Sequence, residues 1–329
     1  MFAIRRILVA VKDPWARSLP ALGKATQLAR ALGARVQLFY ALSDPLYIDV
    51  AEAEGVSLPS LERTARDRAI ARLQTLERRL RREGIRADSR VEWDFPPHEA
   101  VIRAAREFDA DLIVAERHAT AHHLAWMLRF TDFELLRLAP MPVLLVKTRR
   151  PYEHPTILAA IDPSHSFSKP LRLDREILGC ATRLSRALRG SLHVVFAYNP
   201  LPAGVAEPGL VLAGATGAIA TEAETHARQA LARSLNGASI PLSRRHLVPG
   251  HPIDAIQGAA AQVGSKIVVM GAISRSGLKR LVLGNTAERV FDELRCDVLV
   301  VKPKAFASRV PRARRGPQLM TLPIVQPGI

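Results

Sequence analysis

Two stretches of this chain, 155 residues apart, match from one apolar run to the next without a gap. The first runs from Asp111-Leu-Ile-Val-Ala-Glu-Arg-His118 to Val143-Leu-Leu-Val-Lys147, and the second from Lys266-Ile-Val-Val-Met-Gly-Ala-Ile273 to Val298-Leu-Val-Val-Lys302. Repetition on this scale restricts the fold to one module used twice, each copy with its own core. The copies differ in what lies between the runs. The second has Gly271, Ser274, Gly284 and Asn285, where the first has Glu116, Ala119, Arg129 and Phe130. A ligand loop is therefore expected in the second copy alone.

The length agrees with two copies. A chain of 329 residues suits two domains of roughly 100–150 residues each. The boundaries read as 1–150 for the first domain, 151–303 for the second, and 304–329 for a tail. That tail contains several prolines, five basic residues and no acid, and it shows no periodicity, so it is expected to be flexible. Thr148-Arg-Arg-Pro-Tyr-Glu-His-Pro155 reads as a linker.

Within each half, continuous apolar runs alternate with helical patterns. Ile7–Val11 and Ile157–Ile161 open the halves, and each leads into Asp-Pro, at Asp13-Pro14 and Asp162-Pro163. Helical segments follow, at 20–32 and 169–188, with Gly33 and Gly190 at the expected C-terminal cap. Further strands are expected at 34–41 and 191–198, at 87–93 and 242–248, at 112–115 and 267–270, and at 143–146 and 298–301. Pro96-Pro97 and Pro252 mark helix starts. Buried strands separated by amphipathic helices imply a parallel sheet covered on both faces. Each half is thus expected to be an open, doubly wound α/β domain, with any ligand beyond the carboxyl ends of its strands at the switch point. The fifth strands of the halves offer a place for the copies to pair.

The loop from Gly271 to Thr286 follows a strand and opens a helix. Two readings stand side by side. Gly284-Asn285-Thr286 can be a helix cap with Glu288 in the first turn. Equally, the free N–H groups of that helix start, with Arg275, Lys279 and Arg280 in the loop, suit an anion.

The residues just quoted, with Ile157–Asp162, Gly250-His-Pro-Ile-Asp-Ala-Ile256 and Val298–Pro303, resemble the universal stress protein family, in a tandem two-domain arrangement of the UspE-like type. The resemblance spans about residues 3 to 303 and implies the fold of adenine nucleotide alpha hydrolase-like domains. Nucleotide-binding members carry G-x2-G-x9-G-[S/T] after the fourth strand. Here the spacing survives as Gly271-x2-Ser274-x9-Gly284, with Ser274 and Asn285 in place of the second glycine and the hydroxyl residue. The resemblance implies ATP or another adenine nucleotide, accompanied by Mg, in the second half. Base and ribose would lie at Asp162, Pro163 and Ala197, and phosphates at Gly271, Ser274, Arg275, Gly284, Asn285 and Thr286. Glu116 and Arg129-Phe130 imply that the first half does not bind nucleotide in the same way. A ligand-free interaction module whose nucleotide site has been lost is the alternative.

Other chemistries find less support. His118, His122 and His123 include an i, i+4 pair, but no third ligand type accompanies them. Ser164, His165 and Asp162 hold the residue types of a hydrolytic triad crowded into one loop, and the nucleophile elbow, the Walker loop and the three-glycine dinucleotide fingerprint are absent. A stress-response protein acting by binding, not an enzyme, is expected. Cys180 and Cys296 are read as small buried hydrophobes. The net charge of +16 raises the question of nucleic acid, yet no aromatics interleave with the arginines of 64–82 as a stacking platform would need. Ile70, Leu73, Leu76 and Leu80 instead mark the apolar stripe of a solvated helix. No apolar run is long enough to insert in a membrane, and the first residues read as a strand and not as a signal peptide. A cytoplasmic protein follows, its partners an adenine nucleotide and a second copy or other stress proteins.

Overall fold

A computed structural model describes residues 3–43, 46–48, 55, 57–117, 125–163, 173–200, 215–271, 291 and 293–321. The chain divides into two compact units. One comprises Ile4–Met141 with the residues from Ala307 onward, and the other Pro142–Phe306 with the first three residues.

In the first unit, β1 (Arg6–Ala10), β2 (Arg35–Leu42), β4 (Ala87–Trp93) and β5 (Leu112–Glu116) form a parallel sheet in the order β4-β2-β1-β5. The helices are α1 (Pro20–Leu32), α2 (Leu58–Arg82), α3 (Pro97–Glu107) and α4 (Ala125–Leu138). Ile7, Leu8 and Val9 are wholly buried, as a central parallel strand with both faces covered must be. The 25-residue α2 is rich in arginine, yet Ala69, Leu73, Leu76 and Leu80 bury one stripe against the sheet. Three of the four expected stripe residues are thus buried, and Ile70 is half-buried.

In the second unit, the order is β6-β11-β10-β7-β8-β9, from β6 (Val143–Val146), β7 (Thr156–Ala160), β8 (Ser191–Tyr198), β9 (Arg245–Pro249), β10 (Ile267–Gly271) and β11 (Asp297–Val301). All pairs are parallel except β6 with β11, where Leu145, Leu144 and Val143 face Val298, Leu299 and Val300. The fifth strands of the two sequence repeats therefore do pair, antiparallel. The helices are α5 (Leu173–Ala187), α6 (Ala215–Ser234) and α7 (Pro252–Gln262). Pro252 stands in the first turn of α7, and the His251 side chain accepts from the N–H of Ile253.

The linker is tied into this unit through Asp297, which is wholly buried. Its carboxylate accepts from the N–H groups of Lys147 at 2.8 Å and Thr148 at 3.0 Å, from the Thr148 hydroxyl at 3.1 Å and from the Tyr152 hydroxyl at 2.6 Å. Four donors converging on one carboxylate satisfy a charge that burial would otherwise make costly.

The helix ends differ from expectation in one place. Gly33 caps α1 at φ 67°, as a left-handed C-terminal glycine does. At the end of α5, Arg189 takes that conformation, at φ 51°, and Gly190 is the next residue. Gly190 is needed for a different reason. A β-carbon there would stand 2.1 Å from the Pro155 carbonyl oxygen, the same oxygen that accepts from Ser191 N–H at 3.1 Å.

Residues 307–321, which the sequence reads as a flexible tail, run along the first unit. Arg103, 2 % exposed, bonds Asp94 at 2.5 Å and Glu99 at 3.2 Å, and also reaches the Pro311 carbonyl at 3.3 Å. Arg106 donates to the carbonyls of Val310 at 2.8 Å and Ser308 at 3.2 Å. Asp94 in turn accepts from the N–H groups of Arg315 at 2.9 Å and Gly316 at 3.1 Å, while the Arg315 guanidinium meets both oxygens of Glu99 at 3.0 and 2.9 Å. Beyond it, β12 (Leu319–Met320) pairs in parallel with β3 (Leu46–Tyr47). The tail lacks periodicity because Val310 is the one buried side chain of 307–321, and the rest of its hold comes through main-chain bonds and arginine pairs.

Candidate functional site

In the second unit the strand order reverses between β7 and β10. The chain goes from β7 to β8 and β9 on one side, and through β10 to β11 on the other. Such a reversal leaves a crevice at the strand carboxyl ends. Ala160 pairs with Val195, and Val269 with Ala159. Continuing those registers brings Asp162 level with Ala197 and Gly271 level with Ile161. Three of the expected site residues therefore meet at one sheet edge, and Pro163 follows Asp162 in the turn. Ser274, Arg275, Gly284, Asn285 and Thr286 lie outside the described residues, as do His118, His122, His123, Ser164 and His165.

Asp162 is 5 % exposed. Its N–H donates to both carboxylate oxygens of Asp174, each at 3.2 Å, which fixes the exit of β7 against the first turn of α5. The Ile161 N–H donates to the Val195 carbonyl at 3.1 Å and carries the β7–β8 ladder to the edge. Ala197 is half-buried on β8, opposite Val248.

Gly271 is buried at the end of β10. A β-carbon there would lie 2.6 Å from Leu173 Cδ2, 3.2 Å from Leu173 Cγ and 3.3 Å from Ile177 Cδ1. The absent side chain thus makes room for the start of α5. The sequence ties this glycine to a ligand, whereas the structure gives it a packing role first. In the first copy Glu116 ends β5, half-buried. At the corresponding edge of the first unit, Asp13 Oδ1 accepts from Trp15 N–H at 2.9 Å, and Trp15 meets Tyr40 edge-on at 6.1 Å.

Several groups with chemical potential escape sequence reading. His193 Nδ1 and His246 Nε2 are 3.0 Å apart on adjacent strands, with ring planes within 11°. One imidazole must donate and the other accept. Burial lowers both from the usual 6.5, and the His246 ring and Arg244 add repulsion at His193. A histidine in each of two strands was the only signal, and nothing in the sequence aligned them. Lys302, at the exit of β11, is 4 % exposed with its ammonium 4.3 Å from the Phe306 ring centre, and burial pulls it down to about 7. Both cysteines are buried and free, and burial pushes Cys180 up to about 12 and Cys296 to about 11. They are inert packing residues. Among the described residues, no cluster of three or more His, Cys, Asp or Glu side chains could hold a metal, and no helix is long and apolar enough to cross a membrane.

Comparison with known proteins agrees with this architecture. The chain matches the Universal stress protein family twice, over residues 3–147 and 155–302. It is 28 % identical to Universal stress protein E of Salmonella typhi, over 94 % of this chain and 98 % of that protein. Universal stress protein E of Escherichia coli K12 is also 28 % identical, over 94 % of this chain and 97 % of its own length. Among solved structures, a functionally unknown protein from Pseudomonas aeruginosa PAO1 superposes with a TM-score of 0.71 at 25 % identity, covering 92 % of this chain and 94 % of its own. The mostly parallel α/β architecture, two family matches and similarity over nearly the whole chain converge: the chain belongs to the universal stress protein family and carries that family's domain twice.

Proposed function

We propose that the second half binds an adenine nucleotide of the ATP type and acts through that binding, not through turnover. The observation that carries this reading is that Asp162, Ala197 and Gly271 lie level at the strand ends where the order of the second unit reverses. In this reading the Asp162 carboxylate accepts from a ribose hydroxyl and the backbone at Ala197 pairs with the adenine edge. Ser274, Arg275, Gly284, Asn285 and Thr286, outside the described residues, take the phosphates, with Mg alongside. Nucleotide occupancy would change the surface offered to a second copy or to another stress protein in the cytoplasm.

Equilibrium dialysis with ATP, ADP and AMP tests this. Saturable binding below millimolar ligand, lost in Gly284→Asp, is the expected result, with no phosphate released in the presence of magnesium.

One observation favours a second reading, a ligand-free interaction module. Leu173 and Ile177 fill the space beside Gly271, so this glycine has a reason to exist without a ligand. Absence of binding at millimolar nucleotide would select that reading.

A further inference from the structure

The contacts between the tail and the first unit have the character of ligand recognition more than of core packing. Core segments are held by buried apolar side chains, but Leu319 and Met320 stay 55 % and 40 % exposed. Val310 is buried, at 5 % exposed, but most of the bonds by which the first unit holds this segment go to main chain. The carbonyls of Ser308, Val310 and Pro311 accept from Arg103 and Arg106 of α3. The N–H of Phe95 donates to the Gly316 carbonyl at 3.1 Å, and the N–H of Leu46 to the Gln318 carbonyl at 2.8 Å. The segment then adds a short parallel strand to β3. An extended chain held through backbone bonds beside a strand is how peptide-binding domains take their ligands.

Side-chain selection centres on two adjacent positions. Glu99 accepts both faces of the Arg315 fork, a bidentate pairing that a lysine cannot reproduce. Gly316 stands at φ 81°, a conformation that lets its N–H and that of Arg315 point together at Asp94 Oδ1. Arg314 also reaches Glu92, at 3.1 Å. The receiving groups also bond one another. Asp94 is wholly buried, and Arg103, itself 2 % exposed, bonds both Asp94 and Glu99.

We infer that the first half is a binding module for extended peptide segments bearing arginine followed by glycine, and that residues 308–320 are its intramolecular occupant. The inference is independent of nucleotide binding in the second half. Tethering raises the local concentration of the tail to the order of millimolar, so the surface is closed to outside peptides until the tail lets go.

The test uses the full chain and a fluorescein-labelled peptide of residues 307–321. In Arg315→Ala/Gly316→Val the tail loses its two selective contacts, while Asp94, Glu99 and Arg103 are untouched. Amide exchange at Leu46 and Phe95 should then accelerate at least tenfold. The same variant should capture the wild-type peptide at least tenfold more tightly than the wild-type chain does, and a peptide carrying Arg315→Ala should fail to bind either. Unchanged exchange, released amides without peptide capture, or capture that ignores the Arg315→Ala change in the peptide would each overturn the inference.

Discussion

The hydroxyl of Tyr152 donates to Asp297 Oδ2 at 2.6 Å, with both residues buried. Tyr152 lies in a stretch that reads as a linker, and Asp297 begins the strand that pairs with β6. Burial, and after it the acid neighbour, raise Tyr152 well above its ordinary value, so it stays a neutral donor at any working pH. Tyr152→Phe removes one of the four donors and should cost about 1–3 kcal/mol. Asp297→Ala strands the N–H groups of Lys147 and Thr148 together with the Tyr152 hydroxyl, and should cost more. Urea denaturation of the two variants checks the ranking. Equal costs would mean that the linker is not held through this carboxylate.

Gly271 and Leu173 should prove to be coupled. Gly271→Ala puts a methyl within 2.6 Å of a fully buried leucine, an overpacking that typically costs about 1–3 kcal/mol. Leu173→Ala alone opens a cavity and is also destabilising. In the double variant the added methyl occupies part of the vacated space, so its cost should fall below the sum of the single costs by at least about 0.5 kcal/mol. Thermal or urea midpoints of the three variants give the coupling. Additive costs would show that the close approach is relieved elsewhere.

The His193–His246 pair predicts a pH dependence. Both rings are held below the usual 6.5, chiefly by burial, so they remain neutral in the fold while the unfolded chain takes up protons. Their contribution is complete above about pH 6.5 and declines as pH falls through the folded-state values. The denaturation midpoint should therefore drop between pH 7.5 and 5.5, and the drop should shrink in His193→Gln, which keeps a polar side chain but removes one titrating ring. Arg244 and Arg245 flank this edge. An identical slope in wild type and variant would remove the pair from the explanation.

What the sequence revealed follows a simple physical division. Strands such as Ile7–Ala10 and Ile267–Gly271 were legible because central parallel strands must be apolar on both faces, and that need is written into consecutive residues. Asp162, Ala197 and Gly271 were placed together by the family resemblance, and the strand registers bring them level at the same strand ends. The reason for Gly271 was not legible. A glycine looks the same whether it admits a phosphate or the side chain of Leu173. The tail was the least legible element, since its partners Asp94 and Glu99 lie more than 200 residues away in the chain, and backbone carbonyls carry no sequence signature. The switch from Gly33 to Arg189 at equivalent helix ends was hidden for a related reason: Gly190 answers to the carbonyl of Pro155, not to its own helix.

Because the polypeptide passes from one compact unit to the other after Met141 and back again after Phe306, the two gene halves are not two separable proteins. A cut after residue 150 would carry β6 away from β11 and would deprive the first unit of residues 307–321. Neither product would be a native piece. Anyone wishing to isolate the first unit would do better to fuse the C-terminal fifteen described residues onto the 4–141 fragment, a rearrangement of chain order that respects who touches whom.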